Sequence, residues 1–204
     1  MEIIMAIKEI SDEGLKELIK TEGVRYQVYD DRTGKPVSSY SDVRGYPTIG
    51  VGHLIKDRER SYFSKYLKGR SSLSKSQVFK LLRQDVPKYT DPLLKKIEKP
   101  ITQSMLDALV SLAYNTGPNS RSVKNSIARI NQKDYKGAAQ AILDGPTTSK
   151  GRTLKGLVKR RKAEYEWFLK DGEPGSLLQR MFFWTGITAA TVALGVTVKN
   201  IILK

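Results

Sequence analysis

Apolar side chains recur every three or four residues over most of this chain, which predicts a mainly helical protein. The first helix is predicted to begin after Ser11, whose hydroxyl is suited to cap it, and to end near Glu22. Its apolar face consists of Leu15, Leu18 and Ile19.

Four later segments have the same spacing and are also predicted to be helical. They are the segment after the capping box Ser74-x-x-Gln77, the segment after Thr102, Tyr135 to Leu143, and Leu154 to Leu169. Pro87 and Pro92 are expected to interrupt or end the helix that follows Ser74, and Gly117-Pro118 to end the helix that follows Thr102.

The stretch from Arg25 to Leu54 differs from the rest, because aromatic and β-branched residues there are separated by turn-forming residues. The predicted turns lie at Thr33-Gly34-Lys35-Pro36, at Arg44-Gly45, and at Gly50 and Gly52. This pattern predicts short antiparallel strands. The fold class is therefore α+β, with the strands near the N-terminus and helices beyond them.

Composition excludes several classes of protein to which the chain could belong. The chain has 204 residues, no cysteine and one histidine, which argues against structural zinc, iron–sulfur clusters and a thiol nucleophile. Its net charge of +15 predicts attraction to a polyanion such as nucleic acid, an anionic membrane or an acidic wall polymer. The positive charge is concentrated at residues 150–170, with eight basic and two acidic side chains. No nucleic-acid-binding motif accompanies it, so no nucleic-acid partner is predicted.

Two carboxylates and a hydroxyl follow one another around the predicted turns, as Glu22, Asp31 and Thr48. Cleavage of a glycosidic bond needs a protonated carboxyl group at the leaving oxygen and, in inverting enzymes, a carboxylate that places a water on the other face of the sugar. The neighbouring Tyr26 and Tyr29 are expected to desolvate Glu22 enough to keep it protonated. An isolated glutamate is more often a solvated surface charge, so the order of the three groups carries this interpretation.

The sequence around these groups closely resembles the phage-type lysozyme or endolysin family, which is glycoside hydrolase family twenty-four. The matching features are the order Glu22, Asp31, Thr48 and the motif Thr48-Ile49-Gly50-x-Gly52-His53. Further motifs typical of that family's helical part lie at Arg83-Gln84-Asp85-Val86, at 106–117 with Tyr114-Asn115-x-Gly117, and at Gly156-Leu157-x-x-Arg160-Arg161-x-x-Glu164. The resemblance covers about residues 11 to 170.

The resemblance implies a lysozyme-like fold, in which a small β-rich N-terminal lobe and a larger helical lobe enclose an active-site cleft, with residues 1–170 as the catalytic domain. It implies hydrolysis of the β-1,4 bond between N-acetylmuramic acid and N-acetylglucosamine in bacterial peptidoglycan, causing lysis, with no metal or organic cofactor. Glu22 would be the general acid, Asp31 the carboxylate that orients or activates water, and Thr48 a hydroxyl beside that water. Leu54 and Tyr114 match positions that line the sugar cleft.

The chain departs from the family at one place, because sixteen residues, Arg32 to Pro47, separate Asp31 from Thr48 where about five are usual. We call these sixteen residues the insert. They include Asp42, which keeps the usual spacing to Thr48 and is an alternative second carboxylate. Asp31 is favoured, because a surface hairpin can lengthen at little cost without moving its base. Asp30 is expected to be a turn or solvated residue.

His53 is the only histidine, and imidazole is a common general base. In the resembling family a histidine after Gly-x-Gly pairs with an aspartate of the next long helix, here Asp85. This pairing favours a stabilising role for His53 over a catalytic one.

Two other functions stay open. The altered spacing gives some weight to a wall-binding module that has lost catalysis. The basic residues 150–170 and the apolar tail suggest a membrane-disrupting protein. Turbidity loss of peptidoglycan and leakage from vesicles would separate these functions.

The C-terminal residues form a linker at 171–176 and an apolar segment at 177–204, in which Met181 to Val198 is uncharged. As a helix, eighteen residues would extend about 27 Å, close to the thickness of a bilayer core. The segment is interpreted as a membrane anchor, the alternative being an apolar helix packed on the enzyme or in an oligomer interface. More basic residues precede than follow it, which predicts that the enzyme waits in the host cytoplasm or on the cytoplasmic face of the inner membrane until a partner such as a holin gives access to the wall.

Overall fold

The computed structural model describes residues 7–149 and 151–175. These residues form two compact units, one of which is 10–88. The described residues of the other unit are 7–9 and 89–175 apart from 150. The predicted apolar segment 177–204 lies outside the described residues. Among the described helices, none is long and apolar enough to cross a membrane.

The unit of residues 10–88 contains three α-helices, three short 3-10 helices and a three-stranded sheet. Its α-helices and strands are α1 Asp12–Glu22, β1 Arg25–Asp30, β2 Pro47–Gly50, β3 His53–Leu54, α2 Arg60–Phe63 and α3 Lys75–Asp85. The Ser11 hydroxyl caps α1 by accepting from the Gly14 amide, and Gly23 ends α1 with a φ of 76°. The Arg83 guanidinium of α3 donates to the Asp12 carboxylate of α1. The predicted start and end of the first helix are confirmed.

The sheet is antiparallel, with β2 between β1 and β3. All four residues of β2 are buried, as expected for the central strand. Gly50 and Gly52 have φ values of 67° and 77°, and they allow the tight turn from β2 into β3. A Cβ at Gly50 would lie 3.3 Å from the Leu81 Cδ2 of α3, which is a tight contact, so the positive φ is the main reason for glycine here.

The insert returns along the free edge of β1 before it reaches β2. Its Val37 amide donates to the Val28 carbonyl at 3.1 Å, and Pro36 pairs with Tyr29 as an isolated bridge. Val37 is buried, and its carbonyl accepts from the Lys68 amide at 2.8 Å. The insert is therefore a folded edge of the sheet.

The other unit is helical apart from one short hairpin. Its elements are α4 Pro87–Leu94, which begins in the first unit, then α5 Gln103–Thr116, α6 Arg121–Asn131, α7 Tyr135–Leu143, β4 Thr148–Ser149, β5 Arg152–Thr153 and α8 Lys155–Leu169. The central helix is α5, in which every residue from Ser104 to Ala113 is buried. Asp171, the first residue of the predicted linker, accepts from the Ser104 amide at 3.2 Å.

Most predicted helix boundaries are confirmed, and two expectations about helices are corrected. Pro87 begins α4, but Pro92 lies inside α4 without ending it, because burial of Thr90 and Leu93 holds the last turn in place. The helix α6 was not predicted, although Ser120 caps it and Val123, Ile127 and Ile130 form its buried face.

Candidate active site

One face of the sheet holds the predicted hydroxyl and one predicted sugar-binding residue. Thr48 of β2 lies directly opposite Tyr29 of β1 and Leu54 of β3. Residues that are directly opposite in antiparallel strands project from the same face, so these three side chains form one row. Thr48 is buried, whereas Leu54 is 43% exposed. The row therefore offers an apolar surface beside a hydroxyl.

Tyr46 joins the two groups that the insert separates in sequence. Its carbonyl accepts from the Asp31 amide at 3.1 Å and from the Thr48 hydroxyl at 3.2 Å. Its own amide donates to the Asp31 Oδ1 at 2.6 Å. Three hydrogen bonds to one residue thus fix the Asp31 carboxylate and the Thr48 hydroxyl at the same end of the sheet.

Asp42 lies in the middle of the insert and has a local role. It ends a short 3-10 helix, Tyr40–Asp42, and its carboxylate accepts from the Ser39 amide at 3.0 Å. The Tyr40 hydroxyl donates to the Arg60 carbonyl at 3.0 Å and so attaches this turn near α2. Asp42 is therefore a capping residue within the insert.

Asp30 binds the residues of the turn that follows it, as one of the two expectations had it, but it is buried, with 1% of its surface exposed, so the alternative of a solvated residue is wrong. Its Oδ1 accepts from the amides of Arg32 at 3.1 Å and Gly45 at 2.9 Å. Its Oδ2 accepts from the Arg44 amide and the Thr33 hydroxyl, both at 3.2 Å. Burial alone would raise the pKa of Asp30, but these hydrogen bonds favour the ionised form and hold the pKa below its ordinary value.

Glu22 is the last residue of α1 and is exposed. The expected desolvation by Tyr26 and Tyr29 is therefore wrong, and Tyr26 itself is 40% exposed. Only Gly23 and Val24 separate Glu22 from β1, whereas Asp31 follows the other end of that strand. Both carboxylates and Thr48 belong to the unit of residues 10–88.

The predicted pairing of His53 with Asp85 is confirmed. The His53 Nδ1 lies 2.9 Å from the Asp85 Oδ2, and the imidazole ring packs on Phe63 with centroids 5.3 Å apart. A second carboxylate oxygen, Oε2 of Glu59, lies 3.8 Å from the His53 Nε2. His53 is on the opposite face of the sheet from Thr48, because it pairs with Ile49. It links the sheet to α3.

The remaining predicted residues lie in the helical unit. The Tyr114 ring packs on Tyr89, with centroids 4.6 Å apart. Arg160, Arg161 and Glu164 of the C-terminal motif form a buried cluster with Ser111 of α5.

Glu164 is the centre of this buried cluster. Its Oε1 accepts from the Ser111 hydroxyl at 2.7 Å and from the Arg160 Nε at 3.0 Å, and its Oε2 lies 3.0 Å from the Arg161 Nη2. Burial raises the pKa of Glu164, although Arg161, Ser111 and Arg160 act in the opposite direction. The cluster connects α5 to α8 and accounts for the motif as packing within the helical unit.

The structure thus brings together Asp31, Thr48 and Leu54, which the sequence offered as candidates, whereas the contacts made by Asp30 and Tyr46 were not predicted. Strand alternation was a usable signal for Asp30, because Val28 and Asp30 are buried whereas Tyr29 between them is only partly buried. Tyr46 acts through its backbone, which residue type does not reveal.

This fold is that of lysozymes. A mutant of P22 lysozyme has 28% sequence identity to the chain and a TM-score of 0.62, over 80% of this chain and 99% of that structure. The predicted α+β, lysozyme-like fold is confirmed at this level.

Sequence comparison gives the family. A model of the phage lysozyme family matches residues 19–164. The endolysin of Salmonella phage P22 is 30% identical over 161 residues, which cover 79% of this chain and 98% of that protein. The endolysin of Bacillus phage B103 is 32% identical over 160 residues, which cover 78% of this chain and 54% of that protein. The chain belongs to the phage lysozyme family, and it is a glycoside hydrolase.

Proposed function

We propose that this protein is an endolysin-type muramidase that hydrolyses the β-1,4 bond between N-acetylmuramic acid and N-acetylglucosamine in bacterial peptidoglycan and lyses the cell. Membership of the phage lysozyme family supports the reaction class. The observation that carries the choice of residues is the set of hydrogen bonds at Tyr46, which holds Asp31 beside Thr48 in spite of the insert.

In this proposal Glu22 is the general acid that protonates the leaving oxygen. It is exposed at the end of α1, so it is accessible to a large polymer. A bound glycan would cover Glu22 and remove water from it, and loss of water favours the protonated carboxyl group. Desolvation would thus come from the substrate.

Asp31 and Thr48 would hold the attacking water. The Thr48 hydroxyl donates to the Tyr46 carbonyl, so the lone pairs of its oxygen can accept a hydrogen bond from water. The Tyr46 amide fixes the Asp31 Oδ1, which orients the carboxylate and presents Oδ2 as the acceptor of a water proton. Leu54, next to Thr48, and Tyr114 of the helical unit would contact sugar rings.

The same geometry favours Asp31 over Asp42 as the second carboxylate. Asp31 is hydrogen-bonded to the residue that also binds Thr48, whereas the Asp42 carboxylate is used to cap its own turn. The lengthened loop leaves the sheet after Asp31 and returns at Tyr46, which are themselves paired through the Asp31 amide. The base of the hairpin is therefore closed.

Turbidity loss of purified peptidoglycan tests the proposal with Glu22→Gln, Asp31→Asn and Asp42→Asn. Glu22→Gln and Asp31→Asn are expected to lose about 100-fold or more of the activity, since each removes a group that transfers or directs a proton. Asp42→Asn should keep activity close to that of the wild type. Circular dichroism and sedimentation with peptidoglycan show that each variant is folded and still binds.

Each alternative predicts a different outcome. Full activity of Glu22→Gln would contradict the mechanism, and loss of activity in Asp42→Asn alone would transfer the second role to Asp42. A wild-type protein that sediments with peptidoglycan without clearing it would be a binding module. Dye leakage from anionic vesicles that persists in Glu22→Gln would indicate a membrane-disrupting protein.

The apolar segment 177–204 supports a proposal about where the enzyme acts. We propose that this segment associates with the inner membrane, so that the enzyme is held in the cytoplasm or on the cytoplasmic face until a holin-type partner gives access to the wall. The uncharged run Met181 to Val198 is long enough to span a bilayer core as a helix. Fractionation of cells that express full-length and truncated chains tests this proposal.

A further inference from the structure

The insert is closed at its base by a buried carboxylate. Asp30 accepts from Arg32 and Thr33, where the insert leaves the sheet, and from Arg44 and Gly45, where it returns. Four donors from both ends of one loop therefore converge on one side chain. These hydrogen bonds hold the two ends of the loop close together, whatever the length of the loop between them.

The returning end is packed closely against both aspartates. Gly45 has no space for a side chain, because a Cβ there would overlap the Asp31 carboxylate and approach the Asp30 Oδ1 to 2.9 Å. The next residue is Tyr46, whose amide and carbonyl bind Asp31 and Thr48. The position of Tyr46 thus depends on where Gly45 and Arg44 are held.

We propose that Asp30 is a positioning residue for hydrolysis, which aligns the Asp31 carboxylate with the Thr48 hydroxyl by holding Arg44 and Gly45 and, through them, the backbone of Tyr46. This inference rests on the proposed function, in which Asp31 and Thr48 hold the attacking water. Asp30 itself is buried, so it would act through these neighbours and not by contact with the substrate.

A small displacement of the Asp31 carboxylate relative to the Thr48 hydroxyl is expected to slow the reaction. A long loop has many conformations of similar free energy, so its return point is defined only by the contacts made there. When reacting groups are misplaced by about 1 Å, the rate can fall by about 100-fold even if binding is preserved. Loss of the Asp30 contacts would therefore reduce turnover more than affinity.

Asp30→Asn tests the inference with little change in side-chain shape. Both carboxylate oxygens of Asp30 now accept from backbone amides of the loop ends. In asparagine an NH₂ group replaces one of these oxygens, so at least one backbone N–H would face an N–H of the side chain and lose its hydrogen bond. With soluble glycan strands of peptidoglycan as substrate, kcat is expected to fall by about 10- to 100-fold. KM and sedimentation with peptidoglycan should stay within about twofold of the wild type.

Asp134→Asn is the matched control. Asp134 also accepts from a glycine amide, that of Gly137 at 2.8 Å, and from Arg129 at 3.0 Å, but it caps α7 in the helical unit. Asparagine caps a helix about as well as aspartate, so this substitution should change the melting temperature little and should leave kcat within about twofold of the wild type. Removal of an aspartate charge beside a glycine amide, as such, would affect both variants alike.

Gly45→Ala approaches the same contact from the other side and keeps the charge of Asp30. The added methyl group would overlap the Asp31 carboxylate, so kcat is again expected to fall with KM preserved. This variant keeps the inference testable if Asp30→Asn fails to fold. Wild-type kcat in either folded variant would overturn the inference, as would an equal loss of kcat in Asp134→Asn.

The two proposals fail in different ways. If Asp31→Asn retains full activity, the proposed water-holding role is wrong whatever Asp30 does. If Asp31→Asn is inactive but Asp30→Asn turns over like the wild type, only the positioning role is wrong.

Discussion

At the scale of single residues, the neighbours Asp30 and Asp31 have opposite environments although their side chains are identical. Asp30 is buried among four donors, two of which lie 14 and 15 residues further along the chain. Asp31 is exposed in the turn that follows the strand. Its place beside Thr48 could be predicted from spacing and resemblance. Strand alternation indicates that Asp30 is buried, but its donors Arg44 and Gly45 could not be predicted from local preference, because they reach it only after the insert has folded.

The environment of Asp30 predicts a pH dependence of stability. Burial raises its pKa, but the hydrogen bonds outweigh this effect, so the folded-state pKa lies below the ordinary value of 3.8. The ionised group therefore stabilises the folded protein at pH values above 3.8, and this contribution is lost as the pH falls through the lower folded-state pKa. The unfolded chain binds a proton at Asp30 more tightly than the folded protein does, so acid favours unfolding.

Urea unfolding from pH 7 to about pH 2.5 measures this effect in the wild type and in Asp30→Asn. The difference in free energy of unfolding between them should be constant above about pH 5 and should shrink below 3.8. A difference that does not change over the whole range would contradict the ionised, hydrogen-bonded state of Asp30.

At the scale of helices and strands, the features that could be predicted are those that depend on contacts between residues close together in the sequence. Caps act within three residues, so the starts of α1, α3 and α5 could be predicted from Ser11, Ser74 and Thr102. Pro92 was expected to end the helix because proline is unfavourable inside a helix, but tertiary packing of α4 outweighs this local preference. The course of the insert along β1 depends on contacts such as Val37 with Lys68, which are distant in sequence.

The contact between α5 and α8 makes a prediction about packing. Glu164 of α8 is buried beside the buried Arg161 and the mostly buried Arg160, so removing its negative charge leaves both guanidinium groups without their counter-charge. Glu164→Gln is therefore expected to lower the free energy of unfolding by about 3–5 kcal/mol. Urea denaturation followed by circular dichroism measures this change.

Glu166→Gln provides a control on the same helix. Glu166 pairs with Lys162 at the same spacing of four residues, but both side chains are exposed and their charged atoms are 3.9 Å apart. This substitution should change the stability by no more than about 0.5 kcal/mol. Similar effects of both substitutions would show that burial of the cluster contributes little.

At the scale of the whole molecule, the fold and family could be predicted because their motifs are spread from Glu22 to Glu164. The sequence also supplied the order of the candidate site groups. It did not supply the way in which the loop ends are joined, since backbone hydrogen bonds at Tyr46 do not depend on a particular side chain. The arrangement of the two lobes around a cleft, and the roles of all the candidate site residues in it, remain predictions.

The distribution of charge and apolar residues over the whole chain makes the last prediction. Arg180, Lys199 and Lys204 are the only charged residues beyond Gly175, so truncation after Gly175 would change the formal net charge from +15 to +12. Most of the electrostatic attraction to an anionic surface would therefore remain, while the whole apolar segment would be lost. The two contributions to membrane binding can thus be separated in one pair of proteins.

Membranes from bacteria that express each form, washed with about 1 M NaCl, provide the measurement. Salt at this concentration reduces the screening length to about 3 Å and releases protein that is held by charge alone. The full-length chain should stay with the membranes, because apolar burial in the bilayer does not depend on screening, whereas the truncated chain should be released. Release of both forms by salt, or their complete recovery in the soluble fraction, would contradict the anchor. It would leave the muramidase proposal intact, since the residues proposed for catalysis all precede the segment that is removed.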